Sequence, residues 1–428
     1  MALTDAQLDA LHARGVIVHA PAATVVEGVP ADHFEPGVEL FPGVVIRGER
    51  SRFGRGTKLG RAGGGYFEDV CTGRDVDLYG GFYQDCVLLD GVTIRGQAEV
   101  RGGTLLEEGC EAAHHVGYKM TVMLPWVVAG SLVNACDVFV SGGTSRRDHS
   151  EIGSALAVYN FTPWGDKWGS LLGDVAHGVL LRQRPIFVGG QTQIVSPVSV
   201  GFGAVLAAGS AVRRDVGPNR LYGEAGVAVD RAFDPAELGA VLPRLHTTAR
   251  LVGNLALLRS WYRLVRLPCV AGDAHLEHVY TAAVRQLSAG VDERARRLRS
   301  FMARVPSSLE RHVAQLEARS TDLTFEQRHR RIEDHRRALA LWPRVDALLD
   351  GALRGDDPAP AGDDLAYLQS LVTAYRAEPG DPSAPGRFVA WIRDGLSDRT
   401  AAAASAILAR ALERWLAPIL AGPSASAP

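Results

Sequence analysis

The chain has 428 residues, more than one compact core of ordinary size holds, so two structural units are expected. Lys and Arg number 46 against 48 Asp and Glu, a net charge of -2, which excludes a protein whose affinity comes from neutralising nucleic-acid phosphates. Cys71, Cys86, Cys110, Cys136 and Cys269 form neither a CxxC pair nor a Cys/His zinc pattern, so they read as reduced and structural, and no metal is expected.

In chain order, Thr4-Asp5-Ala6-Gln7 is a capping box that opens a short helix with Leu8 and Leu11 on one face, ended by Gly15. Residues 1–36 then form a helix and lead-in that cap the open end of the next unit. No basic segment precedes an apolar stretch, and no apolar run reaches the roughly eighteen residues needed to span a bilayer, so a cytoplasmic protein is expected.

From about Gly37 large apolar residues begin a loose beat at Leu40, Ile46, Phe53 and Leu59, broken by Gly63-Gly64-Gly65. The beat becomes strict at Val76, Phe82, Leu88, Ile94, Val100, Leu106 and Ala112. The first six are each followed four residues later by a small or β-branched residue, namely Gly80, Cys86, Val92, Ala98, Thr104 and Cys110. A second run, Val188, Ile194, Val200, Leu206 and Val212, keeps the same rule with Thr192, Val198, Ala204, Ser210 and Val216. A six-residue period is neither the helical 3.6 nor the strand alternation of two; it describes a short straight segment and a corner, repeated. The alternative is a sandwich whose strands happen to recur, but sandwich strands alternate with period two and turn every 8 to 12 residues, so the beat argues against it. The large residue fills the interior and the small one fits a tight corner. Three hexads make a triangular coil, which would stack Val76, Ile94 and Ala112 on one face and Val188 with Leu206 on another. The fold class is therefore mainly β plus α, a parallel β-helix of hexapeptide repeats over 37–216 followed by a helical domain.

Ala112 and Val188 are 76 residues apart, which is no multiple of six, so at least one loop breaks the register between them. Beyond Val216 a connector over 217–245 leads to helices over 246–420. Leu251, Leu255, Leu258, Tyr262 and Val265 mark the first of these, and others are expected at 274–303, 323–352, 363–376 and 399–420. Arg328, His329, Arg330 and Arg331 read as solvated helix surface. Residues 421–428 read as a disordered tail.

Loops on a rigid coil carry the side chains that the coil does not need. Three polar clusters lie in the gap. His114 and His115 fall at outward hexad positions and suit a general base, or are simply surface. Arg146 and Arg147 follow Gly142-Gly143 and suit a phosphate or carboxylate, with Asp148, His149 and Glu151 as a possible proton relay; alternatively the loop pairs its own charges. Asn160 could bond a sugar and Lys167 a phosphate, with Trp164 and Trp168 as flat faces, or Phe161 and the tryptophans could pack against another subunit.

The stretch from Phe187 to Val216, including Gly189-Gly190-Gln191-Thr192 and Ala207-Ala208-Gly209-Ser210, resembles the acetyltransferase half of the bacterial bifunctional uridyltransferase and acetyltransferase that makes UDP-N-acetylglucosamine. That resemblance implies a left-handed β-helix, an exception to right-handed crossovers, and a homotrimer that binds acetyl-CoA and an amino sugar phosphate between subunits. It implies His115 as the base and Tyr118 beside it, although the hexad register favours His114. It further implies Asn160 and Lys167 on the substrate, Arg101 in place of a family lysine, and Gly189, Gly190, Ala207, Ala208 and Arg213 along the cofactor. Glu151 stands where the family has asparagine and Phe161 where it has tyrosine.

The central region, with Gly-Gly-Thr-Ser-Arg-Arg-Asp-His-Ser-Glu and Asn-Phe-Thr-Pro, also resembles a bacterial group labelled UDP-N-acetylglucosamine pyrophosphorylase. Nucleotidyl transfer needs a glycine-rich loop in a βαβ context, which Gly142-Gly143-Thr144-Ser145-Arg146 lacks. The expected activity is acyl-CoA-dependent transfer to an amino sugar, sugar phosphate or nucleotide sugar in a cytoplasmic homotrimer. The alternatives are a non-catalytic sugar-nucleotide-binding or scaffolding trimer, and the pyrophosphorylase.

Overall fold

The computed structural model describes residues 2–163, 165–226, 234, 236–318 and 323–420. A parallel β-solenoid runs from Ile17 to Tyr222, and helices follow it. Its strands stack in three columns, one for each side of a triangular coil. Face 1 has eleven rungs among the described residues, from Ile17–Val18 on Glu39–Leu40 to Val205–Leu206 on Leu221–Tyr222. Face 2 climbs from Val25–Glu27 to Ala211–Val212. Face 3 includes Cys71–Thr72, Cys86–Leu88, Thr104–Leu106, Ser170–Leu172 and Ser199–Val200.

The loose early beat is already solenoid: Leu40, Ile46, Phe53 and Leu59 are fully buried, and the first coil starts at Ile17 rather than Gly37. Short 3-10 turns at Pro21–Ala23 and Ala31–His33 stretch that coil past three hexads, which hides the period. The capping box is present, with Thr4 and Gln7 bonding reciprocally at the start of α1 (Asp5–Ala13) and Leu11 buried. Ile94 lies beside Ala112 and Val188 beside Leu206, as the beat requires. Two positions differ. Leu78, not Val76, is the rung under Ile94, because the coil between them is two residues short of three hexads; a bulge between Ile94 and Gln97 then shifts the register again by one. Tyr83, not Phe82, turns inward and stacks on Phe67 with centroids 5.0 Å apart, while Phe82 stacks outside on Tyr66 at 5.2 Å. Adjacent aromatics make either register bury a ring, so the six-residue rule could not choose between them.

The coil widens only where the beat fails. Loops 141–149 and 160–169 project from it, and α2 (Val175–Gly178) sits in a third insertion. The second unit consists of α3 (Val241–Trp261), α4 (Leu267–Cys269), α5 (Ala274–Met302), α6 (Val305–Glu317), α7 (Phe325–Arg354), α8 (Asp363–Ala377), α9 (Arg387–Ala390) and α10 (Asp398–Leu420). Helix α6 was not among the expected helices; its Pro306 stands in the first turn, where the missing N–H is no loss. Arg328 departs from the solvated face expected of α7: it is buried and meets Glu237 at 3.5 Å. The tail at 421–428 and part of the 217–245 connector lie outside the described residues. No helix is long and apolar enough to cross a membrane among the described residues.

The helices pack on face 3. Its strands are buried on both sides: Leu88, Leu106, Met123, Val140 and Leu172 fill the solenoid, while Val87, Leu105, Val122, Phe139 and Leu171 join the helical core. Each such side chain contributes roughly 1.5–3 kcal/mol of burial. Apolar runs such as Val87-Leu88-Leu89 and Val138-Phe139-Val140 are the sequence mark of two-sided burial.

Charges are sealed into the same seam. Arg266 pairs with Glu107 and Glu108, Tyr262 Oη donates to Glu107 at 2.7 Å, and the guanidinium lies over the rings of Tyr262, Tyr280 and Phe388 at 4.7–4.9 Å. Burial raises both carboxyls above their ordinary range against the pull of Arg266. All three residues are almost wholly inaccessible.

Candidate functional site

With face 3 covered, chemistry on the solenoid has faces 1 and 2. The three expected clusters divide between them.

His114 and His115 occupy the edge between faces 1 and 2, both exposed. His115 has φ +58°, the left-handed corner conformation repeated on the next coils at Leu132, Ala155 and Gln191. Corner hydrogen bonds link Leu132 N to His114 O, Ala155 N to Ser131 O, Gln191 N to Ser154 O and Gly209 N to Gly190 O. One edge therefore carries His114, Ser131, Ser154, Gly190 and Ala208 in order, at about 4.8 Å per rung. The histidines head a column of small residues, and the expected cofactor residues Gly189, Gly190, Ala207 and Ala208 lie along its far end. The Nδ1 atoms of His114 and His115 are 2.9 Å apart, so one donates and the other accepts. The donating ring then presents a bare Nε2 and the accepting ring an Nε2–H.

The other edge of face 2 holds Arg101, Lys119, Cys136, Tyr159, Val195 and Arg213 on successive rungs. Arg213 is thus separated from Gly190 and Ala208 by the width of a strand, and pairs loosely with Glu224 at 4.0 Å. Lys167 joins this edge from the 160–169 loop, which Phe161 and Lys167 pin by an antiparallel bridge. Burial and Asp137 push the Cys136 thiol up, while Arg101, Lys167 and Lys119 pull it down, so three cations surround one half-buried sulfur. Tyr159 and Phe161, 51% and 62% exposed, stand beside them. Such cations and aromatic faces suit a phosphate joined to a ring. Lys119, Cys136 and Tyr159 belong to no motif and were not expected here; their signal is that they follow the inward Tyr118, Ala135 and Val158 by one residue. Strand β-geometry puts Lys119 about 13 Å from His115 along one strand, so the two edges bound a single shallow surface.

Several expected residues have other duties. Tyr118 points into the solenoid, 1% exposed, and burial raises its hydroxyl well above the usual range; it cannot reach a substrate on face 2. Its position between Val100 and Ala135 in the inward row is the reason. Asn160 donates to Asp137, whose other oxygen pairs with Arg294 of α5, so its amide is tied into the seam instead of facing a sugar. Trp168 packs edge to face on Phe301 at 4.7 Å, 2% exposed, and Trp164 lies outside the described residues.

His149 belongs to face 1. Its Nε2 meets Glu151 at 2.7 Å and its Nδ1 the Arg146 carbonyl at 3.1 Å, whereas Asp148 accepts from Thr144 at 2.8 Å; the relay has no Asp148 link. Arg146 reaches across to Glu111, and Arg147 is exposed. Gly142 and Gly143 abut the carbonyls of Pro125 and Asp148 so closely that a Cβ would collide, so they serve close backbone packing rather than a phosphate cradle. Among the described residues, no group of three or more His, Cys, Asp or Glu could hold a metal ion.

No protein-family model matches the sequence.

Proposed function

We propose that the protein is an acyl-CoA-dependent transferase acting on an amino sugar, sugar phosphate or nucleotide sugar across face 2. The observation that carries this reading is the exposed His114/His115 pair, its Nδ1 atoms 2.9 Å apart, at the head of the Ser131, Ser154, Gly190, Ala208 column. Small side chains along one edge leave a track for an extended pantetheine arm, here of acetyl-CoA, whose thioester would end beside the histidines. The bare Nε2 removes the proton as the acceptor nitrogen attacks the thioester carbonyl, and CoA leaves as the thiol. Arg101, Lys119 and Lys167 hold the acceptor's phosphate, and holding both substrates supplies the proximity that lets a modest base suffice.

The active site lies between copies in a homotrimer. Phe187, Val205 and Leu221 stand outward on three successive rungs of face 1, and Phe187 is three residues from Gly190. A second copy covering that apolar ladder would wall the pantetheine track. The test is thiol release from acetyl-CoA over a panel of amino sugars and their phosphates, with the His114/His115 double alanine as control. Turnover lost in the variant supports the reading; no turnover with any acceptor overturns it.

A second reading, a non-catalytic sugar-nucleotide-binding or scaffolding trimer, is favoured by one observation: Tyr118 is buried and the half-buried Asn160 is bonded to Asp137. It predicts calorimetric binding of UDP-N-acetylglucosamine without binding of acetyl-CoA. The packed Gly142-Gly143 loop gives the pyrophosphorylase reading no phosphate cradle.

A further inference from the structure

A cleft of about 560 Å³ opens between the first coils and the start of α5, where Arg14, Asp32, Glu35, Arg52, Asp273 and His275 line it. Two of its acids are engaged. Glu35 takes Arg74 Nε at 2.9 Å and Nη2 at 2.8 Å, and Asp273 caps α5 through Leu276 N at 3.0 Å while meeting Arg74 at 2.8 Å. Arg52 meets no carboxylate among the described residues. Its Nη2 donates to His33 Nε2 at 3.1 Å, His33 Nδ1 donates to the Ser51 carbonyl at 3.0 Å, and Arg52 Nε is buried without a partner.

Beyond His275 on α5, His278 Nε2 and then Arg285 Nε and Nη2 are also buried and unpartnered among the described residues. Burial and the charges of Arg52, Arg285 and His33 hold His278 down to about 4, so it is neutral at pH 7, and its own hydrogen bond goes to the Arg50 carbonyl. That bond places the proton on one ring nitrogen and leaves Nε2 as an acceptor. Arg285 lies against the buried Cys71 thiol, which burial raises to about 11 and which therefore supplies no counter-charge. Arg52 and Arg285 are both close enough for their charges to act on the His278 ring, and His275 one turn away bonds the Thr72 carbonyl at 2.9 Å, so two guanidiniums and one acceptor share the seam between the solenoid and α5.

We propose that this seam is a second binding site, for inorganic phosphate or a singly protonated phosphate monoester, distinct from the face 2 surface. Arg52 and Arg285 donate to the phosphate oxygens and the P–OH donates to His278 Nε2. Sulfate, which has no proton to give at neutral pH, sets its oxygen against the His278 lone pair. Because Arg52 belongs to the solenoid and His278 and Arg285 to α5, the bound anion ties the helical domain to the first coils.

The test is calorimetry on the full-length protein at neutral pH with inorganic phosphate and with sulfate, repeated for Arg52→Gln, Arg285→Gln and the face 2 double variant Lys119→Gln/Lys167→Gln. The expected result is phosphate binding at least about tenfold tighter than sulfate, weakened about tenfold or more in each arginine variant and retained in the lysine variant. A phosphate-dependent shift of the His278 ring resonances in the wild-type protein gives the same answer should an arginine variant fail to fold. No phosphate binding by the wild type, equal affinity for sulfate, or loss of phosphate only in the lysine variant overturns the proposal. The last outcome would assign the anion to face 2 and leave the transferase reading standing.

Discussion

His114 Nδ1 lies 2.9 Å from His115 Nδ1, and the two rings meet edge to face with centroids 5.1 Å apart. With both rings neutral only one Nδ1 carries a proton, and the pair then offers one bare Nε2 to solvent. His114→Ala and His115→Asn should each lower acyl transfer by about 10²- to 10⁴-fold with circular dichroism unchanged. Asparagine is the right replacement at 115, because φ is +58° there and asparagine tolerates the left-handed region. Full rates in both variants would place the base elsewhere.

Face 1 makes a prediction about assembly. Phe187, Val205 and Leu221 are 45%, 39% and 77% exposed on adjacent rungs. Phe187→Glu with Leu221→Glu should convert a trimer to monomer in light scattering while leaving the melting curve of each chain in place. An unchanged mass would remove this ladder from the interface.

The seam should respond to acid and to base in opposite ways. Burial works against ionising Glu35, but the Arg74 guanidinium overcomes it and holds the carboxyl at about 2, below its ordinary 4.5. A lowered folded value contributes stability that is complete above 4.5 and is lost as the pH falls toward 2. Asp90 is the reverse. Burial and Glu108 raise it to about 6, so its contribution is complete below its ordinary 3.8 and is lost as the pH rises through 6. Urea midpoints measured against pH should flatten on the acid side in Glu35→Gln and on the neutral side in Asp90→Asn.

Arg266 is the counter-charge for two buried carboxylates. Arg266→Met should destabilise the protein by about 3–5 kcal/mol, because it strands Glu107 and Glu108 in an apolar seam. Adding Glu107→Gln and Glu108→Gln to that variant should recover part of the loss, since neutral amides need no counter-ion. Urea unfolding measures both, and a double-amide variant no more stable than Arg266→Met would assign the loss to the aromatic contacts of Arg266 instead.

The helical half shows what pattern alone reveals. Leu251, Leu255 and Leu258 recur at helical spacing and are buried in α3, and the longer helices begin within a few residues of their expected starts. Helix α6 is hidden in the sequence only because proline is ambiguous at a first turn. The sites were legible in proportion to their distance from the core. His114 and His115 are outward by hexad counting and are outward in the structure, whereas Tyr118 was assigned by resemblance and its place in the inward row overrode it.

By itself the sequence determined the solenoid, because a six-residue beat of large and small residues has one economical way to bury its apolar side. It also determined that a helical unit follows and that loops break out between Ala112 and Val188. Only the tertiary structure decided what those residues meet. Which edge of the triangle a residue occupies depends on how many residues the insertions and bulges add to each coil, and that brings Arg101 beside Lys119 and Cys136 while parting His149 from His114. It depends too on the helices covering face 3, which draws Asn160 to Asp137 and gathers Arg52, His278 and Arg285 from positions far apart in the chain. Periodicity fixes what is inside because packing is local to a coil; contacts between coils and helices are long-range, and no period records them.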